Sequence, residues 1–133
     1  MGRPRKDHHA RRRHLDAAHG FWVLGLGLQV LYREAADGTP GQHALLMAGW
    51  PDAAWHLELT RDPAGAVEPR PTADDLLVLN LGEQVPAAVV AQLERHGGTR
   101  VPAHNPYWDI WGVTVEDPDG YRLVLCNRDW SNA

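Results

Sequence analysis

Residues 116–125 read EDPDGYRLVL, and this stretch decides the fold because a tight turn runs directly into a strand. Proline and glycine favour the turn, and the residues after Tyr121 alternate in polarity as strand side chains do. An earlier stretch, residues 50–62, reads WPDAAWHLELTRD and repeats the order of Pro-Asp, an aromatic residue and an alternating strand. Arg-Asp follows both strands, at residues 61–62 and 128–129. We interpret the two stretches as copies within a structural duplication.

Aligning the two copies sets His56 against Arg122 and Glu58 against Val124. Side chains two positions apart on a strand point to the same face of the sheet. We therefore expect these four residues to face one cavity, and their chemistry decides whether that cavity can hold a metal ion.

Composition places the chain among ordinary single domains of the cytoplasm. The 133 residues are 44% hydrophobic and 23% charged, with a formal net charge of -4, and a chain of this length can bury one core. A single cysteine excludes an internal disulfide framework, and no Cys/His zinc spacing is present. No stretch has the length and composition of a membrane span or a signal peptide, so no membrane contact is expected.

Basic residues are concentrated at the start of the chain. Six of the 13 precede position 14, namely Arg3, Arg5, Lys6, Arg11, Arg12 and Arg13. We interpret residues 1–13 as a solvated arm. Nucleic-acid binding is a minor alternative, because no helix-turn-helix, ribonucleoprotein or zinc-finger pattern follows the arm.

Periodicity predicts two modules, each with the order strand, helix, three strands. The modules are expected at about residues 5–62 and 74–130 of one domain, joined by a proline-rich linker at 63–73. The predicted elements are a helix at 15–22 and strands at 28–34, 43–48 and 55–60, then a strand at 76–81, a helix at 86–96 and strands at 100–103, 110–117 and 121–127. Residues 6–13 are almost wholly polar, so the first strand is either a short solvated edge strand or missing.

Strand alternation separates an apolar face from a mixed face. In the last predicted strand, Leu123 and Leu125 lie opposite Arg122, Val124 and Cys126. The leucines at 77, 79 and 81 likewise lie opposite residues 76, 78 and 80. We expect the leucine-rich faces to pack under the two helices and the mixed faces to line a pocket.

Four features together are typical of a known family: the duplicated modules, the FW-to-GLGL segment at residues 21–28, HLEL at 56–59 and the EDPDGY turn. Through them the chain resembles the vicinal oxygen chelate superfamily. That superfamily includes glyoxalase I, extradiol dioxygenases, fosfomycin-modifying enzymes and bleomycin-resistance proteins. The resemblance covers roughly residues 14–130 and is to an uncharacterised glyoxalase-like branch. It implies an α+β fold in which paired βαβββ modules form a half-open barrel around one cavity, and it implies a homodimer.

Metal enzymes of this superfamily place one ligand on the first and last strand of each module. Carried over, the resemblance puts Glu58, Val124, Leu76 and, less clearly, His8 or His9 at those positions. Hydrocarbon side chains cannot coordinate, and catalytic metal centres ordinarily use three protein ligands. We therefore expect no cofactor, or at most a divalent Zn, Ni, Mn or Fe ion held partly by Glu58.

The expected ligand-binding residues are His56, Glu58, Val78, Arg122 and Val124 on the mixed faces, with Tyr107, Trp108 and Trp111 in the aromatic segment. His56 and Glu58 are either a metal or base pair or a hydrogen-bonded polar pair. Arg122 either pairs with Glu58 or holds an anionic ligand. The aromatic rings either line a pocket, close the end of the barrel or form a subunit contact.

Three functions follow from these alternatives. The first is a metal-dependent lyase, isomerase or dioxygenase acting on a substrate with vicinal oxygens. The second is a metal-free protein that binds a small organic ligand, as in the bleomycin-resistance branch. The third is an assembly partner with a collapsed cavity. The missing metal ligands favour the second function.

Overall fold

A computed structural model describes residues 15–36, 41–63 and 67–133. Helix α1 is α-helical over Asp16–His19 and π-helical over Gly20–Gly25, and the other helices are α2 (Ala87–Arg95) and α3 (Tyr107–Trp111). The strands are β1 (Gln29–Glu34), β2 (Ala44–Gly49), β3 (Leu57–Arg61), β4 (Leu76–Asn80), β5 (Thr99–Val101), β6 (Gly112–Glu116) and β7 (Arg122–Cys126). None of these helices is long and apolar enough to cross a bilayer.

The strands form two sheets. Strands β1, β2 and β3 make an antiparallel sheet in that order, and the second sheet has the order β4-β7-β6-β5. In the second sheet β4 runs parallel to β7 and the other pairs are antiparallel. The parallel pair is possible because α2, β5 and β6 provide the long crossover between its strands. The predicted α+β class and the order of the second module are confirmed.

The first module has its helix and three antiparallel strands in the predicted order. Its expected opening strand, in residues 6–13, and the turn expected at residues 37–40 lie outside the described residues. Neither sheet closes on itself within the described residues, which agrees with a half-open architecture.

The strand faces are arranged as predicted in the second sheet. Register pairs Leu76 with Arg122 and Val78 with Val124, so these residues share the mixed face. Leucines on the opposite face enter the core under the helices. That core is continuous between α1, α2 and both sheets, and its buried members are Phe21, Trp22, Leu28, Ala48, Val90, Leu93, Val115, Leu123 and Leu125.

Helix α1 extends beyond its predicted end at residue 22. The amide of Leu26 donates to the carbonyl of Phe21, five residues back, which is the π-helical pattern. A Cβ on Gly25 would lie 3.2 Å from the Leu93 side chain, so glycine allows α1 and α2 to approach closely. This glycine lies beyond the predicted end of the helix, whereas in the structure it is a contact between helices.

The prediction of a loop at 104–108 followed by a strand from 110 is wrong in part. Residues 107–111 instead form helix α3. The Asn105 side chain accepts the amide of Tyr107 at 3.0 Å, and the Pro106 carbonyl accepts the amides of Asp109 and Ile110. These local hydrogen bonds stabilise one helical turn that β-propensity at Ile110 and Trp111 does not reveal.

Asp117 joins the two modules through its buried side chain. Its Oδ2 accepts a hydrogen bond from the Trp22 indole of α1 at 3.3 Å. Its Oδ1 accepts the amides of Asp119 at 2.9 Å and Tyr121 at 2.8 Å, which close the turn between β6 and β7. Gly120 has a φ of 93° in this turn, a conformation that favours glycine.

The pKa of the Asp117 carboxyl is raised from 3.8 to about 6, chiefly because burial disfavours the charged form; the nearby Asp119 charge also raises it, and the hydrogen bonds from Tyr121, Asp119 and Trp22 lower it. The folded chain therefore binds this proton more tightly than the unfolded chain does. The stabilisation of the folded state by this proton is fully present below about pH 4 and is lost as the pH rises through about 6.

We expect wild type to gain stability relative to Asp117→Asn as the pH falls from 7 to 4. A gap of about two pKa units corresponds to a change in that difference on the order of 3 kcal/mol. Urea unfolding of both proteins across this pH range measures it. Glu94→Gln, at an exposed carboxylate on α2, serves as the control and should follow wild type. A difference independent of pH would contradict the burial argument.

Candidate functional site

A cavity of about 640 Å³ lies between the edge of β3 and the edge of β4. Its size is within the range of small-molecule sites, roughly 300–1,000 Å³. We call it the acidic cleft. The described residues that line it are Leu15, Ala18, Trp22, Leu57, Glu58, Leu59, Thr60, Val67, Glu68, Pro69, Asp75, Leu76, Leu77, Asp117, Asp119, Tyr121 and Arg122.

The walls of the acidic cleft are largely apolar because two strand edges meet there. Leu57 and Leu59 are half-buried and pack against the core, whereas Glu58 between them is exposed. On the other side, Leu76 and Leu77 are both half-buried at the start of β4. The cleft thus combines hydrocarbon walls with polar groups at its mouth.

Charge in the acidic cleft is strongly negative. Its described lining includes five carboxylate residues, Glu58, Glu68, Asp75, Asp117 and Asp119, against one cationic residue, Arg122. Carboxylates around a cleft with low-dielectric walls focus a negative potential, which attracts cations and repels anions. Only Glu58 among these carboxylates is predictable as a site residue from the sequence, because the other four are on turns and loops whose proximity depends on the fold.

Arg122 forms its ion pair with Glu116. Glu58 was one of the alternatives expected for this partner. Its Nε donates to Glu116 Oε1 at 3.3 Å and its Nη2 lies 3.2 Å from the same oxygen. The two residues are directly opposite in the register of β6 and β7. Their equal distance from the turn centred on residues 118–120 was a signal in the sequence that could have identified this pair.

One guanidinium nitrogen of Arg122 has no hydrogen-bond partner within the described residues. The side chain is only 15% exposed, and Nη1 is buried with no hydrogen-bond acceptor among the described residues. A buried donor without an acceptor costs free energy, so an acceptor oxygen supplied by a ligand would be favourable there.

His56 and Glu58 form a peripheral pair. His56 Nε2 lies 3.8 Å from Glu58 Oε1, and the side chains are 39% and 57% exposed. His56 precedes β3 and, unlike Glu58, does not line the acidic cleft. An exposed pair at this distance contributes little to stability.

The described residues do not fit a complete metal centre. Leu76 lines the acidic cleft and Val124 is fully buried, and both present hydrocarbon where the resemblance places a ligand. Over residues 15–36, 41–63 and 67–133, no group of three or more His, Cys, Asp or Glu side chains is arranged to hold a metal ion. His8 and His9 lie outside the described residues, so their assignment stays a prediction.

A second cavity of about 420 Å³ lies further along the mixed face of the second sheet. We call it the aromatic cavity. Its described lining residues are Val78, Asn80, Tyr107, Trp108, Cys126, Arg128, Asp129 and Trp130. Trp111 lies beside it, with its ring centroid 4.7 Å from the Arg128 guanidinium carbon.

The predicted ligand-binding residues are therefore divided between two cavities. Glu58 and Arg122 line the acidic cleft, whereas Val78, Tyr107 and Trp108 line the aromatic cavity. Of the four positions expected to face one cavity, residues 58 and 122 are in the lining of the acidic cleft. His56 lies outside both described linings, and Val124 is fully buried beside Val78 in the register. Apolar side chains thus occupy the middle of the mixed face and leave space at its ends.

The comparisons identify relatives for most of the chain. Residues 74–127 match the family described as YycE-like C-terminal domain. The uncharacterized protein YycE of Bacillus subtilis (strain 168) is 43% identical over 83 residues, which are 62% of this chain and 60% of that protein. The matched part thus spans less than two thirds of the length of this curated relative.

Two solved structures share the fold. A YycE protein of unknown function from Bacillus subtilis, called a candidate glyoxalase/fosfomycin resistance protein, has a TM-score of 0.75 and 35% identity, over 90% of this chain and 85% of that chain. The glyoxalase I of Leishmania major, which is trypanothione-dependent, has a TM-score of 0.65 and 21% identity, over 87% and 80% of the two chains. The second likeness shows the fold alone.

We expect a double-mutant cycle to assign the partner of Arg122. Combining Arg122→Met with Glu116→Gln should give a coupling free energy of about 1 kcal/mol, since the pair is mostly buried and makes two contacts. Combining Arg122→Met with Glu58→Gln should give coupling near zero. Urea unfolding of the single and double variants measures both terms. Stronger coupling to Glu58 than to Glu116 would contradict the geometry.

Proposed function

We propose that this chain, which belongs to the YycE-like family of the vicinal oxygen chelate superfamily, binds a small organic molecule with an apolar body and a cationic group. The site is the acidic cleft. The observation that carries the proposal is the combination of hydrocarbon walls with five carboxylates in a cavity of about 640 Å³. Binding in this proposal needs no complete metal centre.

The apolar part of the ligand would contact the walls of the cleft. Leu57, Leu59 and Leu76 are half-buried, so each keeps apolar surface that a ligand can cover. Burial of apolar surface is worth roughly 25 cal/mol per Å², and binding sites of this class are mostly apolar with a few polar groups that fix orientation.

Carboxylates at the mouth of the cleft would bind the cationic group. Glu58 and Glu68 are exposed, and the only ion pair that Glu58 forms within the described residues is the 3.8 Å contact with His56. In contrast, Oδ2 of Asp75 accepts a hydrogen bond from the amide of Thr72 at 2.7 Å. Glu58 and Glu68 are therefore the carboxylates best placed to meet an ammonium group.

Arg122 and Asp117 would add orientation and pH dependence. Nη1 of Arg122 would donate to a neutral carbonyl or hydroxyl oxygen of the ligand, because an anionic group would face the surrounding carboxylates. Burial raises the pKa of Asp117 to about 6. A bound cation would lower this pKa, so binding of the cation would strengthen as the pH rises through 6.

The metal-dependent enzyme considered above requires a fuller donor set than the described residues supply. Glu58 is the one proposed ligand that lines the cleft, and a first-row metal prefers a complete set of donors. The homodimer implied by the resemblance and the cytoplasmic location expected from the composition remain predictions.

We expect a cationic probe to bind more tightly than an uncharged probe with the same fluorophore. Dansylcadaverine should bind at least about tenfold more tightly than dansylamide at low salt, and the difference should shrink as sodium chloride screens the carboxylates. Fluorescence titration measures both affinities. Glu58→Gln and Glu68→Gln should each weaken dansylcadaverine binding severalfold, while Glu94→Gln on α2 is the matched control. Equal affinity for the two probes would contradict the proposal.

We also expect purified protein to retain less than about a tenth of an equivalent of metal after loading with zinc, nickel, manganese or iron(II) and gel filtration, because catalytic centres ordinarily use three protein ligands. Plasma mass spectrometry measures the retained metal. Stoichiometric metal that is lost in Glu58→Ala but kept in Glu94→Ala would instead support the metal-dependent enzyme.

A further inference from the structure

We infer that the aromatic cavity is a second binding site and that it takes a planar aromatic carboxylate. This site lies on α3, β4, β7 and the segment after β7, and it shares no described lining residue with the acidic cleft. Its chemistry is also opposite in charge, so the inference does not depend on the proposed ligand of the acidic cleft.

Arg128 is a positioned cation that forms no ion pair with a carboxylate within the part of the chain that the structure describes. Its Nη1 donates to the Tyr107 hydroxyl oxygen at 3.2 Å, and its guanidinium lies over the Trp111 ring at 4.7 Å. Among the ion pairs of the described residues, none includes Arg128. Two contacts thus hold the planar guanidinium group of Arg128, and its other N–H donors stay available for a carboxylate.

Aromatic rings around Arg128 provide surfaces for a flat ligand. Trp108 contacts Tyr107 edge to face, with ring centroids 4.9 Å apart. Trp130 is 72% exposed, yet its indole Nε1 donates to Asn132 at 2.8 Å, which holds the ring in place. A large exposed indole loses apolar contact with water when a second ring stacks on it.

The remaining lining residues agree with this ligand class. Val78 and the buried Cys126 give an apolar floor, and Asn80 adds a polar group at its edge. The only carboxylate in the described lining is Asp129, which uses one oxygen to accept the amide of Trp130 at 2.9 Å. The aromatic cavity therefore lacks the concentrated negative charge of the acidic cleft and can admit an anion.

The probe for this site is 2-naphthoate, with 2-naphthamide as its uncharged counterpart. By calorimetric titration, 2-naphthoate should bind at least about tenfold more tightly, since a carboxylate gains charge-assisted hydrogen bonds from Arg128. Arg128→Gln should abolish this preference, and Trp130→Leu should weaken both probes by a similar factor. Arg95→Gln, at an exposed arginine on α2, is the control and should leave both affinities unchanged.

Two further measurements separate this site from the acidic cleft and from loss of folding. Glu58→Gln should not change 2-naphthoate affinity, and saturating dansylcadaverine should not compete with it. Arg128→Lys keeps the charge without the fork and should give an intermediate loss, with thermal unfolding measured for every variant. Equal affinity for the two probes, an unchanged preference in folded Arg128→Gln and Arg128→Lys, or displacement by dansylcadaverine would each overturn the inference.

Discussion

The buried carboxylate of Asp117 is the constraint on which the arrangement of the two modules depends. It closes the turn between β6 and β7 through two backbone amides and also accepts the indole N–H of Trp22 from the other module. The same turn sets the register that places Glu116 opposite Arg122. One side chain thus fixes the position of α1 on the second sheet, the hairpin that carries the Arg122 ion pair and one wall of the acidic cleft. The burial that makes these contacts effective also raises the pKa of Asp117 to about 6.

The mixed face of the second sheet explains why this fold need not carry a complete metal centre. Val78 and Val124 are neighbours in the register, and Val124 is fully buried. Hydrocarbon therefore lies where polar donors would have to converge, and the cavities form on either side of it. The acidic cleft and the aromatic cavity differ in charge because different elements complete them, turns rich in carboxylates in one case and α3 with the segment after β7 in the other. Similar folds can host many chemistries. Here the side chains at the two ends of one sheet face give the two cavities different charges.

Much of the fold could be predicted because its signals are local. The EDPDG turn, the alternation through Leu123 and Leu125 and the Gly-terminated helix α2 each follow from short-range rules of backbone conformation and burial. Helix α3 could not be predicted in this way, since the hydrogen bond from the Tyr107 amide to the Asn105 side chain favours a helical turn over the strand propensity of the residues after it. The division of the site into two cavities was also beyond the alternation pattern, which assigns a side chain to a face but does not say whether its neighbours fill the space above it. The partner of Arg122 was not predicted but could have been, because the register of the hairpin between β6 and β7 alone points to Glu116.

The order of strands in the second sheet has a consequence for how the chain folds. Strand β7 is the last element in the sequence, yet it lies inside the sheet, between β4 and β6. Strand β4 therefore has no partner in that sheet until residues 122–126 are available, and its parallel pairing with β7 joins residues far apart along the chain. Loop closure of this length slows folding and leaves an unpaired strand edge exposed meanwhile. During synthesis the pairing of β1, β2 and β3 can form early, whereas the second sheet must wait for residues 122–126 to leave the ribosome.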